Sequence, residues 1–121
     1  MNTIEERVSV LLKDLGIPAS LSGYKYIKYA VEISVKCPSI LDAVCKQLYP
    51  AIASHFHSKS SRVERCIRHA IESRWMQGNC DTQKMLFGYS INNDKGNPTN
   101  SEFLATVVDY ILMHIAAEAQ S

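Results

Sequence analysis

The sequence predicts an all-α fold, a single domain of five to seven helices. Two observations carry this: apolar residues recur at helical spacing in one segment after another, and strand signals are nearly absent. A third, the length of 121 residues, fits one compact domain large enough to bury a real core. Hydrophobic residues make up 46% and charged residues 21%, the balance of a soluble globular protein. No apolar run approaches the ~20 residues needed to cross a bilayer, and MNTIEERV lacks the character of a signal peptide. A cytoplasmic protein with no membrane partner is expected.

In the first segment Ile4, Val8, Leu11, Leu12 and Leu15 follow the helical period, and Gly16-Ile17-Pro18 stops it. A second helix spans about Ser22 to Lys36, with Tyr26, Ile27, Ala30, Val31 and Ser34 facing inward. It ends at Cys37-Pro38, because the residue before a proline disfavours the α region. A third helix is predicted from near Ser39 through Ile40, Leu41, Val44, Cys45 and Leu48. Pro50 either kinks that helix or occupies the first turn of a new short one, PAIASHF. The polar break HSKS follows, then the helix SSRVERCIRHAIESRW at 60–75, which closes near Gly78-Asn79. Asp81 is the candidate cap of a short helix through Leu86. Residues 89–99, YSINNDKGNPT, hold the densest turn signals and read as an exposed loop. Thr99 or Asn100 caps a last helix carrying Phe103, Leu104, Val107, Val108, Ile111, Leu112 and Ile115, whose tail AAEAQS is expected to fray.

The helix at 60–75 is the informative one. Val63, Cys66, Ile67, Ala70, Ile71 and Trp75 form one apolar stripe, while Ser61, Arg65, Arg68 and Glu72 lie opposite, with Arg62 and His69 on a flank. Burial of the stripe therefore holds the arginines outward. The chain's net charge is only +1, yet residues 59–75 carry Lys59, Arg62, Arg65, Arg68 and Arg74 against Glu64 and Glu72. The basic surplus is local. LYPAIASHF just upstream is a short amphipathic segment, so a short helix, a turn and a basic second helix occupy roughly 48–76, the helix-turn-helix order. In that motif the second helix enters the major groove, where the planar fork of arginine matches guanine N7 and O6 and a carboxylate accepts from cytosine N4.

Plainer roles stand beside this one. The arginines equally suit a solvated face, Ser61 and Glu64 have the spacing of a capping box, and Arg68 with Glu72 forms an i, i+4 pair. The same helix also suits a protein-docking module that binds an acidic partner surface. Trp75 reads as a core anchor, and Tyr24, Tyr26 and Tyr29 as buried rings with wet hydroxyls rather than a surface patch. Cys66 and His69 are three apart, but one lies on the stripe and the other on the polar flank, so their side chains are expected to diverge. No zinc spacing, phosphate loop or nucleophile elbow is present, and neither catalysis, metal nor cofactor is expected. Cys37, Cys45, Cys66 and Cys80 show no CxxC pairing and read as reduced, partly buried thiols.

SSRVERCIRHAIESRW, with LGIPASLSGYKYIKYAV and LYPAIASHF before it and LFGY and PTNSEF after it, resembles the C-terminal effector domain of the sporulation response regulators of the stage 0 sporulation protein A family. The likeness runs in register from about Val8 to Asp109. It implies a compact six-helix bundle containing a helix-turn-helix, a two-component output domain that regulates transcription at the start of sporulation, and DNA boxes resembling TGTCGAA. By position it implies base readers at Arg62, Glu64 and Arg65, with backbone contacts at Ser61, Arg68 and His69. It also implies contact with the sigma factor of RNA polymerase and homodimer pairing on tandem sites. The sequence departs from the pattern at Asn97, where the family carries a phosphate-contacting lysine directly before PTNSEF; Lys95, two residues earlier, is the candidate replacement. Cys66 stands in place of a smaller apolar residue. The family's receiver domain does not fit within 121 residues, so the chain is either an output half or a protein without the phosphorylation switch.

Overall fold

The computed structural model describes residues 4–88 and 96–119; expectations falling on 1–3, 89–95 and 120–121, Lys95 among them, lie outside the described residues. Six α-helices follow in order: α1 (Ile4–Asp14), α2 (Ser22–Lys36), α3 (Tyr49–His55), α4 (Ser60–Arg74), α5 (Cys80–Phe87) and α6 (Asn100–Ala119). No strand occurs among the described residues. The helices pack around one core in which Leu12, Leu15, Ile27, Ile52, Ile67 and Phe103 are fully buried. The all-α bundle the sequence predicts is the fold observed.

Local chemistry explains where the helices stop. At the end of α1, Ile17 N–H bonds to Leu12 O and Gly16 N–H to Lys13 O, with Gly16 at φ 90°. This is a Schellman closure, and its left-handed position suits glycine. The end of α3 is built the same way. Ser58 N–H reaches Ala53 O and His57 N–H reaches Ser54 O, but the left-handed position belongs to His57 at φ 54°. A side chain there costs about 1 kcal/mol or more relative to glycine. His57→Gly is therefore expected to raise stability by about 1 kcal/mol, read as a higher midpoint in urea at unchanged slope. A lower midpoint would show that the imidazole makes a compensating contact.

Four expectations need correction. The segment predicted as a third helix from Ser39 is instead a 3₁₀ helix, Pro38–Ala43, followed by a π turn, Val44–Leu48. Pro50 accounts for the π turn: proline has no N–H to offer the Lys46 carbonyl and its ring crowds that position, so the chain widens and Tyr49 N–H reaches back to Val44 O. Pro50 itself lies in the first turn of α3, the second of the two placements the sequence left open. Asn79, not Asp81, caps α5, its Oδ1 accepting from Asp81 N–H at 2.9 Å and Thr82 N–H at 3.1 Å. α6 is helical through Ala119, into the tail expected to fray, and there the Arg7 guanidinium on α1 binds the Glu118 carboxylate. Finally, the cysteines are free, but Cys37, Cys45 and Cys80 are exposed and only Cys66 is partly buried.

The start of α6 follows a sequence rule closely. Thr99 Oγ1 accepts from Glu102 N–H at 3.2 Å and Glu102 Oε1 accepts from Thr99 N–H at 2.9 Å, a reciprocal capping box. Of the turn-rich segment 89–99, the described part is not wholly exposed: Asn97 and Pro98 are buried against the bundle.

Candidate nucleic-acid interface

α3, a turn at 56–59 and α4 follow in the order helix, turn, helix. α4 is held by its apolar stripe, with Val63, Ile67 and Ala70 fully buried and Ile71 nearly so. Trp75 continues the stripe beyond the helix and packs edge-on against Phe87 with ring centroids 5.1 Å apart. Along the other side of α2, Gly23 brings its backbone against α4 so closely that a Cβ would stand 2.3 Å from Cys66 O. The tyrosines form no exposed patch, as read, but the Tyr26 hydroxyl is not wet: on its buried ring it donates to Ser58 Oγ at 3.3 Å, while Tyr29 is half-buried and stacks on His55 at 3.9 Å.

With the stripe fixed inward, Ser61, Arg62, Arg65, Arg68 and His69 are exposed, and Glu64 is half-exposed. They divide into two flanks. Arg62, Arg65 and His69 border a groove of about 420 Å³ between α4 and the Ser20–Gly23 segment. Arg62 and Arg65 also meet Ser61, Lys59 and His57 in a shallow depression at the turn. Glu64 and Arg68 face the opposite flank, beside Tyr49, Asn97 and Asn100. Cys66 and His69 both border this groove, Cys66 partly buried on the stripe and His69 exposed on the flank.

The charges on the two flanks are in different states. Glu64 accepts from Arg68 Nε at 2.9 Å and Nη2 at 3.4 Å, and this carboxylate raises the Arg68 guanidinium above its ordinary value. Two expectations change here. Ser61 and Glu64 do not form a capping box, because α4 begins at Ser60 and places Ser61 inside the first turn. Arg68 forms an i, i+4 pair with Glu64, the more favourable order of acid before base, and the Glu72 charge acts on the same guanidinium. Among the described residues Arg62 and Arg65 have no ion-pair partner. Two unneutralised guanidiniums thus stand side by side at the N-terminal end of a helix whose dipole also favours an anion. Lys59, already part of the basic surplus, and His57, which the sequence pattern did not place at the interface, extend this end; the position of His57 in HSKS, directly before the basic helix, is the available signal.

Asn97, the position at which the sequence reads as departing from the family pattern, is buried, its Nδ2 donates to Pro98 O at 3.1 Å, and it borders the Glu64–Arg68 flank of α4. The family model described as sporulation initiation factor Spo0A, C terminal, matches residues 8–111. The chain belongs to this family. It is a DNA-binding domain of transcription regulation in sporulation. α4 presents a charged outer face within the matched residues. No helix among the described residues is long and apolar enough to cross a membrane.

Proposed function

We propose that the chain, as a single effector domain over residues 1–121, reads TGTCGAA-like boxes in double-stranded DNA through the major groove and thereby controls the initiation of sporulation from the cytoplasm. Arg62, Glu64 and Arg65 supply base discrimination; Ser61, Arg68, His69 and Lys95 bind the phosphate backbone. The observation that carries this reading is the pair of exposed, unneutralised guanidiniums of Arg62 and Arg65 in the first turns of α4, immediately after the turn of the helix-turn-helix. Glu64 enters the same reading from the other flank, with its carboxylate oriented by Arg68. By family likeness the domain meets the RNA polymerase sigma factor and pairs as a homodimer on tandem boxes.

Binding to a box-bearing and a scrambled duplex at two salt concentrations tests it. The box is expected to win at both concentrations, with affinity for each duplex falling steeply as salt rises, because phosphate neutralisation releases counterions. Equal affinity for the two duplexes would reduce the interface to charge attraction. No binding even at low salt would favour the docking module for an acidic partner instead.

A further inference from the structure

We infer that Asn100, which lies off the basic face, is a positioning residue for base readout: its side-chain amide sets where α4 sits relative to α3 and α6. The inference rests on the DNA-binding reading above and names a residue that reading does not use. Asn100 is the first residue of α6, and the Thr99–Glu102 capping box fixes the backbone on which it stands. From there its Nδ2 donates to the Tyr49 hydroxyl oxygen at 3.0 Å and to the Glu64 main-chain carbonyl at 3.1 Å. Tyr49 is the buried first residue of α3, so one nitrogen joins the first helix of the motif, the second helix and α6.

The bond to Glu64 is not one that α4 needs in order to be a helix. A carbonyl inside an α-helix is already committed to the N–H four residues on, and Asn100 occupies its second lone pair. What the bond supplies is lateral position. On one side α4 bears on Gly23 through the Cys66 carbonyl and the Ala70 Cβ; on another the Asn100 amide holds it at Glu64. Glu64 lies between Arg62 and Arg65 in sequence, and its own side chain is fixed by Arg68. All three proposed base readers therefore sit within two residues of the tether. Bidentate base contacts tolerate misplacement of only about 0.5 Å, so a helix free to slide by more than that loses readout before it loses fold.

Asn100→Asp separates this from a merely structural role. Aspartate keeps the shape, cannot donate when ionised, and is favourable in the first turn of a helix. The affinity ratio between box and scrambled duplex is expected to fall about 10-fold, the equivalent of one hydrogen bond, while the melting temperature stays within a few degrees and the salt dependence keeps its slope. Asn100→Ala should show the same loss of ratio. Tyr49→Phe removes one acceptor, leaves the tether to Glu64, and should keep most of the discrimination. A wild-type ratio in Asn100→Asp overturns the assignment and leaves the DNA reading intact, as does a loss of ratio that tracks loss of folded protein. A wild-type domain that does not discriminate at all sinks both.

Discussion

Arg65→Ala is expected to lower the preference for the box over a duplex changed at one base pair by about 1–3 kcal/mol, roughly 5- to 150-fold in relative affinity. The expectation is sharp because of what Arg65 does not do in the free domain. Its side chain is exposed and has no ion-pair partner among the described residues, so truncation removes no intramolecular contact that holds the bundle. Stability should stay within about 0.5 kcal/mol of the parent, as for ordinary surface substitutions. Arg68→Ala is the informative contrast, since it would also release the Glu64 carboxylate that Arg68 now holds at 2.9 Å. Competition binding with a panel of single-position duplex variants, beside a melting curve, measures both quantities. If Arg65→Ala leaves the preference unchanged at every position of the box, α4 does not lie in the groove in the proposed orientation.

The face of α4 was legible because it depends on one helix alone. A stripe at 63, 66, 67, 70 and 71 fixes which side is buried, and burial then fixes which side the arginines take. The limits of α2, Ser22 and Lys36, were legible for a similar reason: a periodic run was closed by Cys37-Pro38. The π turn at 44–48 was not, because its shape is decided by an N–H that Pro50 lacks and by how the widened turn still buries Val44 and Leu48. Hydrophobic spacing at 40, 41, 44, 45 and 48 fits an α-helix equally well, so periodicity had no means to separate the two. The role of Asn100 lay further out of reach. Its partners are 51 and 36 residues away in sequence, and only the packed bundle brings them together. Likewise the hydrogen bonds from Arg68 to Glu64 turn on side-chain rotamers that two equally spaced acids leave open.

Gly23→Ala is expected to damage the bundle severely for a small change in chemistry. A Cβ at this position would lie 2.3 Å from the Cys66 carbonyl oxygen and 2.9 Å from the Ala70 Cβ. The first of these is backbone within α4, so no side-chain rotation relieves it and the helix itself must move. Moving it opens the contact at Ile67 and Ala70, both fully buried. Overpacking of this kind costs about 1–3 kcal/mol or more, which outweighs the roughly 1 kcal/mol that alanine gains over glycine in a helix interior, a gain smaller still this near the start of α2. A melting temperature lower by roughly 5–15 °C is expected. Ser22→Ala, one residue earlier and exposed, places no new atom between the helices and should melt within a few degrees of the parent. Because the displaced helix is the one carrying Arg62, Glu64 and Arg65, the folded fraction of Gly23→Ala should also lose preference for the box while still binding duplexes through charge. A Gly23→Ala domain that melts at or above the parent temperature would mean that α2 and α4 can separate without cost, and that the position of α4 is set elsewhere in the bundle.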